Sequence, residues 1–293
     1  MTSNLNSHSF QIPQYKQLVS KEMLEEIRKV DFYTQSQYGN LDIPETLEFY
    51  TKRFVKQLLD FTSIDDKTVI ADVGAGFGWL SMAFAYSTEA KLIAIDGDEA
   101  RLNAGREIAT ILGIEDRIDW RTGLLGNLPV EDKEADVVYC IEVIEHVYRS
   151  KDAIHDLCRI SNNLTVITTP NLWFPVVAHD TQLPFCHWLP IPLRKRYAKL
   201  FNRQDKEIDN LFWSPSSLQR EFKDFQPISK WLHYASYDNF KETFPFYLPY
   251  GKGRYVPKLG SKKKMYYDLV SKLGIYSHSL LPSLAYVFQR KES

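Results

Sequence analysis

The sequence predicts an α/β protein built on a Rossmann-like parallel sheet with helices on both faces. Three observations carry that prediction. From Thr68 onward the pattern alternates strand, helix, strand, helix, which implies βαβ units. The first strand runs into VIADVGAGFGWLS, residues 69–81, where Gly74, Gly76 and Gly78 occupy every second position before Trp79. Finally, Gly74, Asp96, Gly123 and Glu142 all fall at or just past expected strand ends, the edge where open α/β sheets bind ligands. The chain divides accordingly into an N-terminal helical cap (1–64), the sheet-forming core (65–172), and an insertion plus the closing strands (173–293).

Each element has its own justification. Residues 1–12 are polar and expected to be loosely held. Helix formers run from Gln14 to Val30 and predict one helix. A second follows from Leu47, Tyr50, Phe54, Leu58 and Phe61, which recur at helical spacing, with Pro44 suited to its first turn. Between them lie Phe32, Tyr33, Tyr38 and Gly39. Those aromatics would either pack a cap over the mouth of a ligand site or fill space beneath a loop. Val69–Ala71 is an apolar run of buried-strand type, and KLIAID (91–96) is the second strand. Ala100–Leu112 reads as a helix with Leu102, Ala109 and Leu112 inward, stopped by Gly113. RIDWR (117–121), ADVVYC (135–140) and LTVITT (164–169) are the third, fourth and fifth strands, with a helix over Asp152–Ile160. Beyond Asn171 the regularity fails, in a stretch rich in Pro and aromatics that leads into a basic helix. Ser214-Pro215 reads as a cap and first-turn proline of a helix ending near Phe225. FQPISKWLHYAS and SLAYVFQRK are expected as two closing strands, with residues 236–282 inserted between them.

Composition narrows the function classes. A chain of 293 residues is ample for a real core, and a formal net charge of -1 gives no global drive toward nucleic acid. Cys140, Cys158 and Cys186 are scattered, without a C-x-x-C, which argues against disulfides and fits a reducing cytoplasm. The opening MTSNLNSHSF lacks the form of a signal peptide, and no run of about 18 apolar residues is available to span a membrane. Lys262–Lys264 and Arg194–Arg196 would hold a phosphate or acidic head group, although such runs usually form a solvated face.

Two patterns carry chemistry. Glycines at a strand-to-helix turn let the backbone bend sharply and let a ligand lie against the main chain. A carboxylate after the second strand, Asp96, suits a diol because it accepts two hydrogen bonds. In CIEVIEHV, 140–147, a helix starting near Glu142 would place Glu142, Glu145 and His146 at i, i+3 and i+4 on one face. Two carboxylates and an imidazole there make either an acid/base site or a divalent-metal site.

The D-x-G-x-G-x-G turn resembles motif I of class I S-adenosylmethionine (SAM) methyltransferases, and the resemblance covers residues 65–172. It implies SAM as cofactor, with Asp72, Gly74, Gly76 and Gly78 at its amino acid end and Asp96, with Gly97 beside it, at the ribose. The adenine would lie along Gly123 and Leu124. Leu124 stands where the family often carries an acid, so N6 is left to the backbone or solvent. Glu142 would close the same site. The 140–147 segment resembles the E-x-x-E-H of ubiquinone-biosynthesis O-methyltransferases and of small-RNA 2′-O-methyltransferases. Some of those enzymes complete a metal site with a downstream histidine, for which His179 is the candidate and His187 the second. The resemblance thus implies catalytic roles for His146, Glu145 and His179. It implies either a divalent ion on Glu142, Glu145, His146 and His179 or a metal-free base at His146. The acceptor would be a hydroxyl of a partly apolar small molecule: a lipid, quinone, sugar or secondary metabolite. An RNA 2′-hydroxyl, or a catalytically inactive SAM-binding protein, is the alternative. The fourth strand lacks the D/N-P-P-Y/F loop of amino-methylating nucleic-acid enzymes and a Pro-Cys nucleophile. A dehydrogenase would need G-x-G-x-x-G, and here the third glycine arrives one residue early.

Overall fold

The computed structural model describes residues 9–147, 150–177, 181–203, 210–243 and 260–292. Among them, β1 (Val69–Val73), β2 (Lys91–Asp96), β3 (Ile118–Thr122), β4 (Ala135–Ile141), β5 (Ser161–Pro170), β6 (Phe225–Pro227) and β7 (Ser283–Arg290) form one sheet. Its order is β3-β2-β1-β4-β5-β7-β6. The first five strands are parallel, and β7 runs antiparallel to both β5 and β6. The order reverses direction at β1, so the crevice beside its carboxyl end is the expected ligand position.

Strand alternation feeds two cores. Ile70, Leu92, Ala94, Val137 and Tyr139 face one side, together with Leu80 and Phe84 of α6 (Trp79–Ser87), Ala104 and Ile108 of α7 (Glu99–Ile111), and the N-terminal helices. Their neighbours Ala71, Val73, Ile93, Ile95 and Val138 face the other, against Ile154 and Leu157 of α8 (Ser150–Ile160) and Leu218 of α10 (Pro215–Glu221). A side-chain period of two makes this division automatic once the strands pair.

The cap departs from the single helix expected over Gln14–Val30. It forms α1 (Tyr15–Leu18), α2 (Lys21–Ile27) and α3 (Asp31–Thr34). Val19 turns extended, and the Ser20 hydroxyl accepts from Met23 N to start a new helix, so a strong cap wins over helix propensity. The second expected helix forms with Asp42 as its cap: α4 (Ile43–Tyr50) passes through a π turn (Thr51–Val55) into α5 (Lys56–Leu58). Phe61 lies past its end and packs on the core from a partly buried position.

After β5 come a short 3-10 turn (Cys186–Trp188) and the basic helix α9 (Ile191–Leu200). The Ser214 cap of α10 forms as expected, with Pro215 in the first turn. The strand expected over FQPISKWLHYAS is confined to β6, because the Ser229 hydroxyl accepts the next N–H of the ladder, from Val287. The 236–282 insertion includes α11 (Tyr237–Thr243) and α12 (Ser261–Val270), and it builds a small separate core of Trp231, Tyr234, Phe240, Tyr267, Val270 and Leu281. No helix among the described residues is long and apolar enough to cross a membrane.

Candidate active site

The glycine turn is held from beneath by the neighbouring strand, since Gly74 N and Ala75 N both donate to Ile95 O, at 2.8 and 2.9 Å. Gly74, Gly76 and Gly78 all take positive φ (77°, 59° and 74°), which glycine adopts without a Cβ clash. They differ in what surrounds them. A Cβ on Gly74 would sit 2.3 Å from the Val143 side chain, and one on Gly78 would sit 2.6 Å from the Trp120 ring. A Cβ on Gly76 would meet only the Arg101 side chain, at 3.6 Å. Two of the glycines are therefore required by the protein's own packing, and Gly76 is the one that presents open main chain to a ligand.

Asp96 is tied into this turn. Its two oxygens accept from Gly76 N at 2.7 Å and Asp98 N at 2.8 Å, so the carboxylate is fixed at the carboxyl end of β2 with lone pairs still to offer. Asp72 points elsewhere: its carboxylate accepts from Ser81 Oγ at 2.9 Å and is buried under α6. Burial pushes the Asp72 carboxyl up to about 7, against the lowering effect of the Ser81 hydrogen bonds. Gly97 and Gly123 are also set by packing, the first against the Leu124 side chain and the second against Pro129. Leu124 itself is 71% exposed, an apolar wall one residue past Gly123.

The N-terminal cap reaches the same turn. Phe77, between two of the glycines, is surrounded by Phe32, Tyr33 and Tyr38, with ring centroids 6.3, 5.2 and 6.0 Å away. Tyr33 also meets Trp79 edge-on at 5.7 Å.

The 140–147 segment corrects the expectation of a helix from Glu142. Glu142 has φ 55°, in the left-handed region, and the helical turn that follows is a short 3-10 segment, Ile144–His146. α8 starts only at Ser150. Glu142, Glu145 and His146 therefore do not share a helical face. Glu142 N donates to Thr168 O at 3.0 Å, which lets β4 leave the sheet at this strained residue. Glu145 is buried: its Oε2 accepts from Thr169 Oγ1 at 3.0 Å, and its backbone carbonyl accepts from Leu211 N at 2.9 Å. Its other oxygen lies 3.9 Å from His146 Nε2, and the His146 side chain is 42% exposed. The result is a solvent-facing imidazole beside a buried carboxylate. Among the described residues no three His, Cys, Asp or Glu side chains are grouped as a metal would need. His179 lies outside the described residues. His187 is buried, with Nε2 3.0 Å from Leu172 O.

Burial first, and then the Glu145, Asp72 and Glu142 carboxylates, hold the Cys140 thiol well above its usual range. Together with Asp96, these acids lie along the carboxyl ends of β1, β2 and β4.

Sequence reasoning missed several supporting residues: Val143 and Trp120 against the glycines, Ser81 on Asp72, and Thr169 on Glu145. It also missed Asn171, whose Nδ2 donates to His278 O and Leu281 O and so fastens the insertion to the end of β5. Partners this distant in sequence leave no local signal.

Residues 70–163 match the family described as a methyltransferase domain. Norajmaline N-methyltransferase of Rauvolfia serpentina is 30% identical over 116 residues, which cover 37% of this chain and 39% of that protein. The chain thus matches about two fifths of that relative's length. Among solved structures, a chain of the complex between the Haloferax volcanii Trm112 methyltransferase activator and a methyltransferase superposes with a TM-score of 0.51. It is 12% identical, over 90% of this chain and 98% of that one. YcgJ of Bacillus subtilis gives a TM-score of 0.46 at 14% identity, over 85% and 99%. The family match spans the glycine turn, strands β1 to β4 and the first residues of β5, so this core resembles a SAM-dependent methyltransferase domain on a Rossmann-like sheet.

Proposed function

We propose that the protein transfers a methyl group from SAM to a hydroxyl oxygen of a partly apolar small molecule, with His146 as the base. The observation that carries the cofactor assignment is Gly76: an open, positive-φ backbone position whose N–H is clamped by Asp96. Gly74 and Gly76 would face the amino acid end, Asp96 the ribose hydroxyls, and Leu124 the adenine. The acids along the strand ends match a ligand that carries ammonium and sulfonium charge. Bound there, SAM supplies an electrophilic methyl on sulfur. The protein's own contributions are alignment, which can supply roughly 7–11 kcal/mol, and removal of the acceptor proton. His146 would take that proton, a reading supported by its partly exposed imidazole and by the buried Glu145 carboxylate 3.9 Å away. That carboxylate would stabilise the imidazolium once the proton arrives.

The hydroxyl assignment rests on the need for such a base. The R. serpentina relative is named for nitrogen methylation, so an amine acceptor belongs in the same assay. The test is a methyl-transfer assay against panels of phenolic, quinol and amine acceptors, paired with calorimetry of S-adenosylhomocysteine. His146→Ala should lower kcat on a hydroxyl acceptor by about 10²–10⁴ and leave S-adenosylhomocysteine affinity unchanged. Asp96→Ala should weaken that affinity by about 1–3 kcal/mol. Full activity of His146→Ala would remove the base, and unchanged affinity of Asp96→Ala would remove the cofactor assignment.

A further inference from the structure

Helix α12 is amphipathic in the wrong sense for a solvated surface. Its inward side chains, Tyr267 and Val270, are buried in the small core with Trp231 and Phe240. On the outer face, where charged residues would normally stand, Met265 is 69% exposed and Leu269 65% exposed. In the 3-10 segment that follows (Ser271–Leu280), Leu273, Tyr276 and Leu280 are exposed as well. Single exposed apolar side chains are ordinary, but a row on one helix is a surface that water does not favour.

The charges around the row are mostly positive, with Asp268 as the acidic exception. Lys262, Lys263 and Lys264 begin the helix and Lys272 follows it, all exposed. Lys264 pairs with Asp268 at 3.5 Å, and Lys263 lies over the Tyr267 ring at 5.5 Å. In the sequence, Lys252, Arg254, Lys258 and these three lysines stand between Glu242 and Asp268 with no acidic residue among them. The whole chain is near neutral, so this is a concentration of charge in one region.

We propose that the outer face of α12 and its 3-10 extension docks on an anionic lipid surface, with Met265, Leu269 and Leu273 entering the head-group boundary and the lysines meeting lipid phosphates and carboxylates. An apolar row flanked by lysines combines the two terms that bind a helix in the plane of a membrane, buried apolar area and attraction to anionic lipid. An acidic protein or a nucleic acid would use the lysines but leave the row uncovered. A second copy of the chain would bring a second set of lysines against the first.

The experiment is co-flotation of the full chain with vesicles of phosphatidylcholine, with and without phosphatidylserine. Binding is expected only with phosphatidylserine, and it should fall as salt rises. Lys262→Glu/Lys263→Glu/Lys264→Glu and Met265→Ser/Leu269→Ser/Leu273→Ser should each weaken binding roughly tenfold or more. These side chains are exposed, so both variants should keep the wild-type circular dichroism spectrum and melting temperature. Absence of flotation, or flotation that neither variant reduces, overturns the proposal. So does a dimer in sedimentation that the serine variant dissolves, or RNA binding that the glutamate variant abolishes while vesicle binding persists. None of these readouts depends on the methyl acceptor, so the docking surface fails or stands separately from the catalytic reading.

Discussion

Gly76 and Gly74 share a sequence pattern and a backbone conformation, yet substitution should separate them. Alanine at Gly76 meets no close atom, so the cost is that of a left-handed alanine, about 1 kcal/mol. Its larger effect should be on cofactor affinity, since the new methyl occupies the open side of the turn. Alanine at Gly74 adds a contact 2.3 Å from Val143 and should cost a further ~1–3 kcal/mol of stability. Urea unfolding and S-adenosylhomocysteine calorimetry on the two variants measure both quantities, and equal stability losses would refute the distinction. Asp72 offers a second separation. The folded protein keeps its proton up to about pH 7, whereas the unfolded chain releases it near the ordinary carboxyl value of about 3.9. The folded state therefore binds more protons between those limits, and stability falls as pH rises through them, by on the order of 4 kcal/mol. Asp72→Asn keeps an acceptor for the Ser81 hydroxyl. It should abolish that dependence and be more stable than wild type at about pH 8, as thermal melts at about pH 5 and about pH 8 would show. The residues were legible in sequence to the extent that their roles are local. Spacing singles out Asp96 and the glycines, and the Gly76 N–H joins them in one turn. That the Asp72 carboxylate bonds α6 depends on Ser81, in the first turn of the next element.

At the scale of elements, the cap and the glycine turn form one packed unit. Tyr33 touches both Phe77 and Trp79, so Tyr33→Ala should destabilise the protein by about 3 kcal/mol or more. A double-mutant cycle of Tyr33→Leu and Phe77→Leu should return a coupling of ~0.5–1.5 kcal/mol. A coupling near zero would reduce the cap to passive cover. Strands β1 to β5 were readable because each is a short apolar run bounded by polar or glycine residues, and because α6 to α8 fall between them at βαβ spacing. The E-x-x-E-H segment was not readable in the same way. Helical spacing placed three side chains on one face, but the chain must first turn off the edge of β4. The left-handed backbone at Glu142, held by Thr168, makes that turn and discards the spacing. The N-terminal helix failed for a related reason, a capping serine in mid-run that propensity alone does not weigh.

For the whole molecule, the strands and their parallel sheet followed from the sequence except at the far edge, where β6 is three residues long and the insertion has its own core. Long-range fastenings such as Asn171 to the 278–281 segment decide how that insertion sits, and no periodicity records them. The placement of β7 has a consequence for synthesis. It lies between β5 and β6 and, among the described residues, is the strand that β6 pairs with, although it comes last in the chain. Its Arg290 guanidinium also donates to Cys158 O and Ser161 O, closing the junction between α8 and β5. A ribosome must therefore deliver residues near 290 before the ten-residue strand β5 gains its second neighbour. Until then the nascent chain carries a long parallel edge, open to any other unpaired strand in reach. The glycine turn, α6 and α7 can be in place during that interval, so assembly of the cofactor end runs ahead of protection of the sheet. The period between translating β5 and translating β7 is when this chain most needs a chaperone.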